Sequence, residues 1–274
     1  MLNIEQWPKL REPVLVVALS GWVDAGLAGV GAAAVLAEQL QSAQRFGRVD
    51  VADLLDLQQT RPTVHLVDGT TREIVWPVID LVAGRAGCDV VLVIGPEPSL
   101  HWRAFTAELV TLAQRLDVRM AATLGGMPAV VSHRRPAPVL ATATSRALAQ
   151  EVGALRFDYL GPTGAQSVLQ VALGEADIPA VGLWAQVPHY VAGNRSSPAI
   201  RALLERLREV AGVQTDLRAM DTEVDEYLER VEGGLAERPD VAEIIRTIET
   251  DQHDLPTGDE LVSEIERFLR DEPG

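Results

Sequence analysis

Short, unbroken runs of apolar residues constrain the fold of this 274-residue chain more than any other feature of its sequence. Val14–Leu19 and Asp89–Ile94 lack the polar alternation of a half-buried strand, and both are shorter than a typical helix. Such runs are typical of strands that are buried on both faces of a parallel sheet. Val118–Leu124 and Ile178–Val187 predict two more strands of this kind.

Segments with helical periodicity separate these strands. They predict helices from a cap at Asp24 to about Leu40, over Ala104–Leu116 and over Ala165–Leu173. Asp68-Gly69 lies between the apolar segments Thr63–Val67 and Glu73–Trp76, which predicts a β-hairpin. Strands that alternate with helices favour an α/β protein whose largely parallel sheet is covered by helices on both faces.

The C-terminal part of the chain differs in charge and pattern. Residues 200–274 carry 21 acidic and 9 basic side chains, whereas residues 1–199 carry 18 and 15. Apolar residues at helical spacing predict four helices, which contain Ile200–Val210, Val224–Val231, Val241–Ile248 and Leu261–Phe268. The first begins with Ser197 as its cap, and the second stops at Gly233-Gly234. We therefore expect an α/β core domain over residues 1–195 and an acidic helical region over residues 196–274, whose charged faces suit either solvent or a partner surface.

The composition argues against several classes of function. A net charge of −15 disfavours binding to the phosphate backbone of nucleic acids. No stretch resembles the roughly 20 apolar residues of a membrane-spanning helix, and the N-terminus lacks the pattern of a signal peptide. The single cysteine, Cys88, allows neither an intramolecular disulfide nor a cysteine metal site, which favours a reducing, cytoplasmic location.

Loops that follow the predicted strands would meet at one edge of the sheet, where open α/β sheets bind their ligands. These loops, with the Gly161–Gly164 segment before a helix, contain our candidate ligand-binding residues: Trp22, Asp24, Glu97, His101, Thr163, His189 and Tyr190. They do not single out a catalytic residue. The five histidines lack a zinc-type spacing with carboxylates, so we predict no metal site, and we predict no cofactor.

The main candidates also have structural alternatives. Asp24 can be the N-cap of the helix that it precedes, and Glu97, between two prolines, can be a general base or a cap of the helix that follows. Gly161–Gly164 could hold an anion at a helix start, but it lacks the lysine of a phosphate-binding loop. The glycines after Asp24 predict close packing of this helix on the sheet; they are Gly26, Gly29 and Gly31.

The same loops resemble the signature blocks of the proteasome assembly chaperone 2 family. In order, the blocks are Gly21–Ala25, Gly95–Pro98 with Trp102, Leu124–Pro128, His133–Pro136, Gly161–Gly164 and Val187–Val191. Their order and spacing resemble the family over residues 10–210. The arginine-rich composition, with Lys9 as the single lysine, and the acidic helical tail resemble the actinobacterial branch.

This resemblance implies a three-layer α/β/α sandwich with a mostly parallel or mixed sheet, like that of the purine nucleoside phosphorylases, plus a C-terminal helical extension. It also implies homo-oligomers. Some relatives dock on the proteasome α-ring through a C-terminal tail of a hydrophobic residue, a tyrosine and any residue. Here no tyrosine follows Tyr227 and the sequence ends at Gly274, so docking by such a tail is not expected.

Two main hypotheses for the function remain, besides a third, a scaffold whose loops are merely structural. The first, which the resemblance favours, is a non-catalytic, oligomeric protein-binding or assembly factor that acts on a protein partner. The alternative is a small-molecule-binding protein or an enzyme, acting on nucleoside- or peptide-related compounds in the crevice at the carboxyl ends of the strands.

Overall fold

The computed structural model describes residues 2–154, 159–236, 245–246 and 248–249. Its strands are β1 (Leu2–Ile4), β2 (Val14–Ser20), β3 (Gln41–Val49), β4 (Thr63–Val67), β5 (Thr70–Val75), β6 (Ile79–Ala86), β7 (Cys88–Pro96), β8 (Met120–Ala129), β9 (Val139–Ala143) and β10 (Ala180–Pro188). Its α-helices are α1 (Ala28–Gln39), α2 (Trp102–Arg115), α3 (Arg146–Glu151), α4 (Ala165–Glu175), α5 (Ser197–Ala211) and α6 (Asp221–Ala236).

Eight strands form one mixed sheet in the order β1-β3-β6-β7-β2-β8-β10-β9. Its centre, β7-β2-β8-β10, is parallel, and the strands on either side of this centre are antiparallel. The carboxyl ends of the four central strands therefore lie at one edge. The predicted α/β class and the mixed sheet are confirmed.

The two faces of the sheet carry separate apolar cores. Val14, Val16 and Ala18 of β2 point to the face covered by α1 and α5. Leu15 and Val17, which alternate with them, point to the face covered by α2 and α4. Because β2 has helices on both sides, every residue from Val14 to Leu19 is fully buried, as its unbroken apolar sequence requires. The three-layer arrangement that we predicted is thus present.

Two glycines allow α1 to lie close to its neighbours. A Cβ atom at Gly29 would lie 2.3 Å from the carbonyl oxygen of Leu124 in β8, and one at Gly31 would lie 2.4 Å from the Cδ1 atom of Ile200 in α5. The Leu124 carbonyl is fixed in the sheet and excludes a side chain at Gly29, whereas the Ile200 side chain at Gly31 could shift. The prediction that glycines bring this helix close to the sheet is confirmed at Gly29, while Gly31 faces α5 instead of the sheet.

Several predicted boundaries are wrong. A turn of 3-10 helix over Ala25–Leu27 precedes α1, so Leu27 rather than Asp24 occupies the N-cap position. In α5 the N-cap position belongs to Ser196, one residue before the predicted cap, and no side-chain bond caps this helix. The helix α6 continues through Gly233-Gly234 to Ala236, because a glycine weakens a helix without ending it.

Four strands of the large sheet were not predicted: β1, β3, β6 and β9. The first half of β3 is polar and exposed, so it lacks a hydrophobic pattern. The helix α5 packs on α1 and β10 and buries Ile200, Leu203 and Leu207 in the core. The division at residue 195 stays a prediction. Most of the third predicted C-terminal helix, and all of the fourth, lie outside the described residues.

The predicted hairpin is confirmed as β4 and β5, which form a separate two-stranded sheet. All residues of both strands are exposed, although several of them are large and apolar. No helix in the described part of the chain is long and apolar enough to cross a membrane. Within the same residues, no three histidine, cysteine or acidic side chains are grouped closely enough to hold a metal ion.

Replacing Gly29 by alanine tests the close contact between α1 and β8. Alanine is normally favoured over glycine inside a helix, by about 1 kcal/mol. Here the added methyl group meets a backbone carbonyl that cannot turn away, so we expect Gly29→Ala to lower the free energy of unfolding by about 1–3 kcal/mol. Chemical denaturation measures this change.

Gly233→Ala is the matched control, since nothing lies within 4 Å of a Cβ atom at Gly233 in α6. This variant should be as stable as the wild type or slightly more stable. A Gly29→Ala protein with wild-type stability would show that α1 can move away from β8 without cost.

Candidate functional site

A crevice with a volume of about 550 Å³ opens at the carboxyl ends of the central strands. Its lining includes the loop after β2, the end of β8 at Pro128 and the turn after β10. The amide of Gly26 donates to the carbonyl of Ala192 at 2.7 Å, and the amide of Ser196 donates to the carbonyl of Gly26 at 2.8 Å. These two bonds hold the first and last of the three segments together.

Three of the seven predicted residues line this crevice: Trp22, Asp24 and His189. They meet because β2, β8 and β10 are parallel neighbours, so that their carboxyl ends lie side by side. Trp22 and His189 are exposed, whereas Asp24 is buried. The other four predicted residues do not line the crevice.

Asp24 forms the acidic floor of the crevice. One carboxylate oxygen accepts a hydrogen bond from the amide of Gly29 at 2.6 Å, and the other accepts a longer one from Val30 at 3.5 Å. Burial raises the pKa of Asp24 from 3.8 to about 7, and the two amide donors oppose this rise. Asp24 therefore stabilises the first turn of α1 from a position outside the helix, which corrects its predicted role as the N-cap residue.

Glu97 stands behind the crevice and joins three segments. Its amide donates to the carbonyl of Ser20 at 2.7 Å, and its carboxylate accepts a 2.6 Å hydrogen bond from the amide of Ala165. Burial raises the pKa of Glu97, and the hydrogen bonds from the amides of Ala165 and Trp22 oppose this rise. Glu97 thus stabilises the start of α4 and not, as we considered, the start of the helix that follows it in sequence.

The helix start after Gly161–Gly164 was a predicted anion site, and the Glu97 carboxylate occupies it. A Cβ atom at Gly164 would lie 2.7 Å from a carboxylate oxygen of Glu97, so glycine is required for this approach. Thr163, in the same loop, is exposed. His101 is also exposed and occupies the N-cap position of α2 with a left-handed backbone, at a φ angle of 57°.

Tyr190 points away from the crevice towards His133. Its hydroxyl accepts from the His133 amide at 3.0 Å and lies 2.8 Å from the His133 Nδ1 atom. The ring of His189 packs edge-on against the ring of Tyr190 at a centroid distance of 5.4 Å. Tyr190 therefore connects a crevice residue with a buried histidine, and burial raises the pKa of its hydroxyl.

His133 belongs to a polar network that our residue-based search did not single out. Its buried ring lies 3.1 Å from a carboxylate oxygen of Glu232 in α6. Arg134 donates two hydrogen bonds to the same carboxylate, at 2.6 and 3.0 Å, and a third to Glu249 at 3.3 Å. The Arg134 guanidinium and the His133 ring lower the pKa of Glu232 to about 2. The sequence signals were a His-Arg-Arg run in an acidic chain and the place of this run in one of the blocks that resemble the family.

The network attaches α6 to the loop that follows β8. Ser132 donates to the carboxylate of Glu249 at 2.7 Å, so the loop also contacts a residue beyond α6. The contacts are charge-assisted and lie close to the surface, where ion pairs are weak singly and gain strength in networks. Glu232 in α6 and Glu249 are thus both held by the basic loop that follows β8.

Comparison with known proteins agrees with this architecture, a three-layer α/β/α protein with a crevice at its strand ends. The family model described as the PAC2 family matches residues 18–233. The chain belongs to the PAC2 family, which confirms the resemblance in the sequence. No protein of curated function matches this chain.

Three solved structures are similar over most of their length. A proteasome-assembly chaperone homologue of Mycobacterium tuberculosis is 37% identical over 85% of this chain and 99% of its own, with a TM-score of 0.77. A PAC2 family protein of Streptomyces avermitilis is 38% identical over the same shares, also with a TM-score of 0.77. A Mycobacterium tuberculosis protein of unknown function is 27% identical over 98% of this chain and 92% of its own, with a TM-score of 0.85.

Replacing Asp24 by asparagine should change how stability depends on pH. The Asp24 carboxyl has a pKa near 3.8 in the unfolded chain and about 7 in the folded one, so the folded state binds more protons between these values. The free energy of unfolding of the wild type therefore loses up to about 4 kcal/mol from this group as the pH rises through this window. The Asp24→Asn variant does not lose this free energy of unfolding, because asparagine does not ionise.

Denaturation at pH 5 and pH 8 measures the effect. At pH 5 the folded forms of both proteins carry a neutral side chain at this position, so that measurement is the reference for the one at pH 8. We expect the stability of Asp24→Asn relative to the wild type to increase from pH 5 to pH 8. Parallel pH profiles would contradict a raised pKa for Asp24.

Replacing Arg134 by alanine should loosen α6. Without the guanidinium, the Glu232 carboxylate loses two of its three hydrogen bonds, and we expect amide hydrogen exchange near Glu232 to speed up by about three- to tenfold. Arg218→Ala is the control, because Arg218 pairs with Asp216, two residues away, and does not reach the loop. Equal exchange in the wild type and Arg134→Ala would rule out the network as the anchor of α6.

Proposed function

We propose that this chain is a non-catalytic assembly factor that forms homo-oligomers and binds a protein partner. The observation that carries this proposal is the exposed apolar hairpin of β4 and β5. Membership of the PAC2 family supports it, as does the 37% identity to a protein described as a proteasome-assembly chaperone homologue.

The hairpin exposes several large apolar side chains close together. Val64 and Ile74 lie opposite each other in the register and are 51% and 49% exposed. Leu66, Val75 and Trp76 are exposed to a similar extent. Monomeric proteins rarely show a continuous apolar patch of more than a few hundred Å², and larger patches mark interaction sites.

The hairpin also needs a partner for its own stability. An isolated two-stranded hairpin is marginally stable in water, and among the described residues β4 and β5 pair with no third strand. An open groove of about 600 Å³ lies at its base, lined in part by Leu57, Trp76 and Val78. A projecting apolar hairpin beside an apolar groove gives one chain both halves of an interface, so we propose that a second copy covers this surface.

The hydrogen bonds of the carboxylates in and behind the crevice favour a function without catalysis. Glu97 was the candidate general base and Asp24 a candidate ligand-binding residue, and each accepts hydrogen bonds from amides at the start of a helix. Tyr190 faces His133 instead of the crevice. The enzyme alternative is left with one carboxylate and one histidine, Asp24 and His189, in the crevice.

The oligomeric state of a hairpin variant tests this proposal. Val64→Ser with Ile74→Ser removes two facing apolar side chains from an exposed sheet, where the fold of the core does not depend on them. We expect the wild type to be an oligomer by native mass spectrometry, and the double variant to associate at least about tenfold more weakly.

Val171→Ser is the matched control, since Val171 is 61% exposed on α4, outside the hairpin. It should leave the oligomer unchanged. A monomeric wild type would overturn the oligomeric part of the proposal, and an unchanged double variant would move the interface away from the hairpin.

A further inference from the structure

The crevice combines an acidic floor with an apolar rim. Asp24 is 4% exposed at its floor, while Trp22 and Leu27 are 41% and 47% exposed in its lining. A volume of about 550 Å³ lies within the usual range of ligand sites. Large apolar side chains beside a buried carboxylate suit a ligand that has both an apolar and a polar part.

The charge of the crevice selects against anions. The described residues that line the crevice include neither a lysine nor an arginine, and His189 is the one basic residue among them. The amides at the start of α1 would be the natural anion site, but the Asp24 carboxylate already accepts from Gly29 and Val30. A phosphate or carboxylate would therefore meet a like charge and occupied donors.

Asp24 has no cationic partner in the described part of the chain. The hydrogen bonds to its carboxylate come from backbone amides, which leave acceptor capacity on the oxygen atoms. A carboxylate that is desolvated without a counter-ion gains most from a cation that enters its site. The chain as a whole is also strongly acidic, at −15, which attracts cationic partners.

The rim residue Leu27 is held in a strained conformation. Its φ angle is 48°, in the left-handed region that favours glycine, and its side chain projects into solvent. Neither the strain nor the exposure of a leucine here serves the apolar core. Such outliers cluster at ligand-binding sites, so Leu27 and Trp22 are suited to contact an apolar stem.

We propose that this crevice binds a basic side chain, an arginine in particular, presented by a partner protein. The guanidinium would pair with the Asp24 carboxylate and stack on the Trp22 ring, and the methylene stem would lie along Leu27. This inference rests on the proposed function and adds to it the chemical group that the partner supplies.

Binding of small probes tests the assignment on the full-length protein. N-acetyl-arginine amide stands for a peptide arginine, and N-acetyl-citrulline amide has the same shape without the charge. Spermidine supplies charge without a peptide group and so represents a free amine as the source. Titration calorimetry with ligand-observed NMR should give a millimolar dissociation constant for the arginine probe, and binding at least about fivefold weaker for citrulline and spermidine.

Two crevice variants and one control complete the test. Asp24→Asn should weaken the binding of the arginine probe about tenfold, because this change removes the charge on the floor of the crevice. Trp22→Ala changes an exposed side chain and should weaken it at least about threefold even if the Asp24 variant does not fold. Asp225→Asn removes one charge from an exposed position of α6, outside the crevice, and should leave binding unchanged.

Equal binding of arginine and citrulline, an unchanged affinity in both crevice variants, or no binding at all would overturn the assignment. Tighter binding of spermidine than of the arginine probe would indicate that the ligand is a free amine and not a protein side chain. This result would also contradict the assignment. The oligomer measurement on the hairpin variants is independent of these probes. A failure in the crevice with success at the hairpin would therefore reject this inference and leave the proposed function intact.

Discussion

The buried carboxylate of Asp24 sits where the central strands, the first helix and the crevice meet, and their mutual positions depend on it. Its main chain forms a bridge to Gly126 of β8, and its side chain accepts from Gly29 at the start of α1. Gly29 in turn approaches the carbonyl of Leu124 more closely than any side chain allows. One residue thus sets both the register of a loop and the distance of a helix from the sheet. The helix amides offset part of the cost of burying this charge.

Glu97 has the corresponding structural role on the opposite face of the sheet. Asp24 follows β2 and holds the start of α1, whereas Glu97 follows β7 and holds the start of α4. These two strands are adjacent and parallel, and their helices lie on different faces. Carboxylates at strand ends often signal catalysis, but here the geometry assigns them to the junction between layers.

The sequence predicts the centre of the fold better than its edges. An unbroken apolar run such as Val14–Leu19 is stable only as a strand that is covered on both sides. The positions of Trp22, Asp24 and His189 follow from this, because the carboxyl ends of parallel strands lie at the same edge of the sheet. The polar first half of β3 has no such solution: β1 pairs only with the second half, so the first half lies at an edge of the sheet and needs little burial. The bonds from Glu97 to Ala165 and from His133 to Glu232 could not be predicted, since they join residues 68 and 99 positions apart that no local pattern relates.

The place of β2 in the middle of the sheet also governs the order in which the chain can fold during synthesis. Val14 leaves the ribosome early, yet its neighbours in the sheet are Val90 and Met120. Contacts between residues so far apart in sequence form slowly, and apolar strands that stay exposed until these contacts form are prone to aggregate. Because the parallel centre is completed only by β10, at Ala180–Pro188, the core on the face covered by α1 and α5 stays unfinished in the first two thirds of the nascent chain. A shortened form of this protein that ends before β10 would leave β8 without its parallel neighbour and α1 without the helix α5 that packs on it.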